Sequence, residues 1–142
     1  VTVSKKTAAT LTTLGALTAA IALAAPTAGA SVTRVDVAPG LSFGSSGGGY
    51  GAGCSYTVTA TARPGATVTY LDDVDGGRTA DTFKPITQVA DASGKASTIW
   101  TPAKKGKHDI WAAEYIQGES YIMTTVNVGT GINLGPACAV LP

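Results

Sequence analysis

Charge is scarce in this chain. Only 13% of its 142 residues are Asp, Glu, Lys or Arg, against about 25% in a typical soluble domain. The longest basic cluster is the short "AKKGK" at residues 103–107. A nucleic acid or an anionic membrane would require a concentrated basic surface, so neither is expected as a partner. Histidine occurs once, as His108, and cysteine twice, as Cys54 and Cys138. Two separated cysteines and one distant histidine lack the ligand spacing of a metal site. Beyond residue 30 no stretch shows helical periodicity, which excludes a helical bundle and the strand-and-helix units of nucleotide-binding folds. No acid, base and nucleophile set stands out, so no enzyme and no cofactor are expected.

The chain opens "VTVSKKTAATLTTLGALTAAIALAAPTAGA". Lys5 and Lys6 precede an apolar, small-residue run that ends in Ala28-Gly29-Ala30. A basic segment, a run too short to span a bilayer with ease, and an A-x-A site spell a secretory signal peptide, with cleavage between Ala30 and Ser31. The competing reading is a retained anchor, which wants roughly 20 apolar residues. Val1 fits a GTG start codon written literally, as in a bacterial gene. Two of the ten bases lie in the leader, leaving eight against nine acids in residues 31–142. That span is long enough for one domain with one core. Outside the cytoplasm, Cys54 and Cys138 are expected to pair. The bridge would close a loop of about 85 residues, worth roughly 4 kcal/mol in the chain-entropy picture.

Threonine, valine and tyrosine alternate with small residues through the rest of the chain, an all-β pattern. "SVTRVDVAP" gives a first strand, with Val32, Val35 and Val37 apolar. "CSYTVTATA" sets Tyr56, Val58, Ala60 and Ala62 on one face against Thr57, Thr59 and Thr61. "TVTYLDD" leads into Asp75-Gly76, a hairpin signal of the positive-φ type. Pro85 marks an edge strand or a segment that changes sheets. "ASTIWT", "HDIWAAEYI" and "YIMTTVNV" complete the run, with Trp111, Ala113 and Tyr115 on one face of the second. Seven to eight short strands separated by turns predict a β-sandwich.

Residues 92–128, "ASGKASTIWTPAKKGKHDIWAAEYIQGESYIMTTVNV", resemble the bacterial immunoglobulin-like domains of secreted and surface proteins. The matching positions are Gly94, Ala96, Pro102, Gly106, Ala113, Tyr115, Gly118, Val126 and Val128. The resemblance implies an immunoglobulin-like sandwich and, for function, a binding or scaffolding module. Two departures stand out. The expected sixth strand, "HDIWAAEYI", has no cysteine, so a bridge would tie the C-terminal tail to Cys54 instead. Such domains also usually come in tandem, and this chain holds one.

Several local features invite chemistry. The tract "FGSSGGGYGAGC" has the glycine spacing of a phosphate loop, but Cys54 stands in the lysine position and a strand follows, so it reads as a loop at one end of the sandwich. Tyr50, lone and aromatic within it, is a candidate contact residue. Asp72, Asp73 and Asp75 offer hard oxygen ligands close together. They lack the spacing of an EF-type loop and read as a surface hairpin, a candidate binding loop together with the loop before Cys54, with weak calcium binding as the alternative. His108 reads as an exposed strand residue, and Trp100 and Trp111 as core aromatics, with sugar stacking as the alternative. The expectation is a secreted, monomeric, non-catalytic module for adhesion, scaffolding or protein binding at or outside the cell envelope. The alternatives are a small-ligand carrier, since "VADASGKAST" resembles the enediyne-binding apoproteins, and a secreted inhibitor of an extracellular hydrolase.

Overall fold

A computed structural model of the protein describes residues 32–44, 49–114 and 120–142. The leader with Ala30 and Ser31, part of the glycine tract, and Tyr115 and Gly118 lie outside the described residues. Among the described residues there is no helix, and twelve strands appear: β1 (Val32–Val37), β2 (Ser42–Phe43), β3 (Tyr50–Ala52), β4 (Tyr56–Ala62), β5 (Thr67–Val74), β6 (Gly77–Thr79), β7 (Phe83–Lys84), β8 (Thr87–Val89), β9 (Lys95–Trp100), β10 (Gly106–Glu114), β11 (Ser120–Asn133) and β12 (Cys138–Leu141). They form two sheets. The smaller runs β1-β4-β9-β7, and the larger runs β2-β12-β11-β10-β5-β6, with β3 beside β11 and β8 beside β5. The chain is therefore a two-sheet β-sandwich.

Alternation along the strands decides which residues meet between the sheets. In β4, Tyr56, Val58, Ala60 and Ala62 are buried and the threonines between them are not. In β9, Ala96, Thr98 and Trp100 point inward, while Lys95, Ser97 and Ile99 point out. The larger sheet supplies Val68 and Tyr70 from β5 and Ile110 and Ala112 from β10. So many inward positions are alanine that the aromatic rings carry the volume. Trp100 is fully buried, with the rings of Tyr56 at 5.9 Å, His108 at 5.5 Å and Tyr50 at 6.2 Å. Burying such a ring removes 150–250 Å² from water, which contributes about 4–6 kcal/mol.

The turns follow local chemistry. Asp75 (φ +54°) and Gly76 (φ +74°) both take positive φ between β5 and β6, as a two-residue hairpin of this hand requires. The Asp91 carboxylate accepts hydrogen bonds from Ser93 N at 2.8 Å, Ser93 Oγ at 2.6 Å and Lys95 N at 3.0 Å, fixing the turn into β9. The Ser93 hydroxyl, followed by the Lys95 amide, holds the Asp91 carboxyl below its usual pKa.

The described end of the glycine tract is strand rather than slack. Tyr50, Gly51 and Ala52 pair in parallel with Val128, Gly129 and Thr130 of β11. The crossing is so close that a Cβ on Gly51 would lie 2.5 Å from Gly131 Cα and 3.1 Å from Cys138 Sγ, and a Cβ on Gly131 would strike Ala52 O and Cys54 Sγ. The disulfide Cys54–Cys138 sits against this crossing and joins the segment before β4 to β12, one sheet to the other.

Two variants test this end of the sandwich. Cys54→Ser combined with Cys138→Ser is expected to lower the unfolding free energy by about 2–5 kcal/mol, read from the urea midpoint; an unchanged midpoint would show that the bridge carries no stability. Gly131→Ala is expected to cost about 1–3 kcal/mol through overpacking, and a neutral result would refute the tight crossing.

Candidate functional site

The polar centre of the molecule is Asp72. Period-two alternation turns it inward from β5, beside Tyr70, and it is fully buried. Its Oδ2 accepts from Trp100 Nε1 at 2.9 Å and from Thr82 Oγ1 at 3.3 Å, and its Oδ1 lies 2.7 Å from His108 Nδ1. Trp100 belongs to the smaller sheet, whereas Asp72 and His108 belong to the larger one. One carboxylate thus joins both layers.

His108 is 1% exposed, and its other nitrogen, Nε2, lies 3.0 Å from the backbone oxygen of Lys104. A carboxylate and a carbonyl are both acceptors, so each ring nitrogen has to donate, and the geometry calls for the imidazolium. Burial by itself pulls the His108 pKa down. The hydrogen bond to Asp72, its charge, the Lys104 carbonyl and the charge of Asp75 together outweigh burial and place the value above 6.5. The exposed strand position expected for His108 is thereby corrected. The side chains of β10 that face inward are His108, Ile110, Ala112 and Glu114, with His108 bonded to buried Asp72 and Glu114 to exposed Arg63.

The expected acidic hairpin is divided by the same alternation. Asp72 is in the core, Asp73 faces outward, with its Oδ2 3.7 Å from Arg78 Nη2, and exposed Asp75 occupies the turn. The three carboxylates do not converge, and among the described residues no group of three or more His, Cys, Asp or Glu is arranged as metal ligands. Tyr50 is half-buried rather than a free loop aromatic. Its ring packs edge-on to Tyr56 at 5.0 Å, and its hydroxyl donates to Val37 O at 2.6 Å. Burial, then the neighbouring Tyr56, raises its pKa.

Sequence patterns also hide two overlapping nucleophile motifs, and the serine of the second, Gly44-Ser45-Ser46-Gly47-Gly48, lies outside the described residues. Gly40-Leu41-Ser42-Phe43-Gly44 fits G-x-S-x-G, which in hydrolases marks a serine between a strand and a helix. Here Ser42 lies on the two-residue strand β2, and its hydroxyl donates to Tyr56 Oη at 3.3 Å. His108, the only histidine, is held by Asp72 and Lys104. Among the described residues no base is paired with the serine.

Opposite the core, the outer face of the larger sheet carries the other expected core aromatic, Trp111. Cross-strand register sets it between Met123 of β11 and Leu71 of β5. Its ring lies 5.0 Å from that of Tyr121, and the Arg78 guanidinium sits 4.6 Å over it. Tyr121 is 59% exposed and Met123 46%. Trp111 Nε1 has no hydrogen-bond partner. The sequence placed Trp111 and Ala113 on one face of their strand, but the outward direction of that face depends on the distant partners of His108 and Glu114, which no local pattern reveals.

The imidazolium makes stability depend on pH with a definite sign. A histidine whose folded pKa is raised above 6.5 contributes fully below its unfolded pKa, and that contribution is lost as pH rises through the folded value. The melting temperature is expected to fall as pH rises above about 6.5, and His108→Gln is expected to remove that slope. An identical slope in the variant would contradict the assignment.

No protein-family model matches the chain, nor does any curated protein or solved structure, so no activity or partner carries over from a relative.

Proposed function

We propose that this chain is a secreted, non-catalytic immunoglobulin-like module that binds a protein partner at or outside the cell envelope, with the outer face of its larger sheet as the contact surface. The observation that carries this reading is the strip Leu71, Trp111, Met123 and Tyr121, with Arg78 over the indole. Aromatic residues, Met and Arg are the side chains enriched at protein interfaces, and Trp, Tyr and Arg dominate their binding energy. Their rim is polar: Asp73 faces Arg78, and Lys107 Nζ lies 3.5 Å from Asp109. The flatness of a sheet face suits a folded partner better than a small molecule.

Two further features support the reading. The Cys54–Cys138 bridge is compatible with an oxidising compartment. The Asp72–His108 pair is buried, with the Trp100 ring 5.5 Å from His108, which supports a structural role for it.

Placing a photo-crosslinking residue at Met123 in the secreting host tests the proposal. A discrete protein adduct is expected, lost in Trp111→Ala. The same label at Ile99, exposed on the smaller sheet, is expected to give none. Equal adducts at both positions, or none at Met123, would overturn the assignment of the face. Trp111→Ala is expected to reduce partner affinity by 2 kcal/mol or more, about 30-fold, while leaving the fold intact.

A further inference from the structure

At one end of the sandwich, where β4 turns into β5, the last residue of β10 helps to line an open-sided hollow of about 310 Å³. Glu114 is 2% exposed and lies in its wall, together with Arg63, Gly65, Thr67 and Thr69. Its Oε1 accepts from Arg63 Nη2 at 2.8 Å, whereas its Oε2 is buried and has no hydrogen-bond partner among the described residues. A buried carboxylate oxygen left without a donor is costly. Arg63 compensates only partly, because its side chain is 63% exposed and much of its charge is spent on solvent. The wall therefore combines an under-satisfied anion, a cation at the rim and threonine side chains, beside a space at the small end of the range for ligand pockets.

We infer that this cavity is a binding site for a small organic ammonium compound, whose N–H donates to Glu114 Oε2. The fit is chemical. An ammonium supplies both the missing donor and the positive charge that a buried carboxylate favours, and such charge-assisted bonds are about twice as strong as neutral ones. Hydroxyl compounds supply only the donor, and carboxylates are repelled by Glu114. Oε2 is out of contact with solvent, so entry requires a shift of the rim, and exposed Arg63 is the side chain placed to make it. If the compound also bears a carboxylate, as an α-amino acid does, the guanidinium is available to pair with it. The site borders the proposed protein-contact face, since Thr69 of its wall and Leu71 of the strip lie two residues apart on one face of β5, and a titration without any protein partner tests the site alone.

Amide NMR titration of the folded protein with n-propylamine, glycine, n-propanol and propionate tests the inference. Propylamine and glycine are expected to shift the amides of Arg63, Gly65, Thr67 and Thr69, while propanol and propionate leave them in place. Tighter binding of glycine than of propylamine would assign Arg63 to the carboxylate, and equal binding would show that the ammonium suffices. Glu114→Gln is expected to weaken binding about 10- to 100-fold. Should that variant lose its dispersed spectrum, Thr67→Phe, which obstructs the cavity from an exposed position, decides: lost binding supports the site and retained binding overturns it. Equal shifts with propanol, no shifts with either ammonium compound, or undiminished binding by a folded Glu114→Gln would also overturn it.

Discussion

The Asp72 carboxylate is the point on which the rest of the structure turns. A sandwich whose inward positions are so often alanine has little side-chain volume to fix one sheet over the other, and the hydrophobic effect has no direction. Direction comes from the three donors that reach Asp72: the Trp100 indole from the smaller sheet, the His108 ring from the larger one, and the Thr82 hydroxyl from the segment before β7. His108 passes the constraint on to the lysine-rich turn through the Lys104 carbonyl. An isolated buried ion pair often contributes little, because desolvation offsets attraction. Here the carboxylate is fully hydrogen-bonded, and removing any one partner would leave a buried polar group exposed to its full desolvation cost.

Other ties repeat this pattern along the sandwich. Tyr70 of β5 donates to the Ala96 carbonyl of β9 at 2.6 Å, and its burial pushes the phenol pKa up to about 12, so it remains a donor. Tyr50 of β3 reaches the Val37 carbonyl of β1, and Arg63, beyond β4, reaches Glu114 of β10. The disulfide adds a covalent tie beside the crossing of Gly51 and Gly131. Each joins one sheet to the other. Most are fully satisfied and read as structural; Glu114 is the exception, with one oxygen lacking a partner, and that imbalance is what marks its cavity as a place for a ligand.

The architecture was legible wherever one residue type alternates with another. The threonine and small-residue alternation of β4 fixed its buried face without ambiguity, Asp75-Gly76 announced its hairpin, and two cysteines allowed one pairing. Legibility failed in β10. Both faces of "HDIWAAEYI" contain large and polar residues, and a strand with period two has to bury one whole set or the other. Choosing the face of Trp111 meant treating His108 as exposed, because its partner Asp72 is 36 residues away. The same choice concealed the site: Glu114 is buried beside Arg63, 51 residues away, while Trp111 faces out to meet Tyr121, Met123 and Arg78. Asp72 was read as part of a surface hairpin for the same reason, since adjacent aspartates on a strand point to opposite faces, and only the distant donors show which one is inside.

The tie between the sheets depends most heavily on His108 donating from both ring nitrogens inside the core. The direct measurement is the pair of imidazole ¹⁵N shifts of this single histidine, recorded in the folded protein near neutral pH. Both nitrogens are expected to be protonated, the imidazolium pattern, at a pH where a free histidine is mostly neutral. One protonated and one bare nitrogen would contradict it, and with it the role of Asp72 as the charged pin between the sheets.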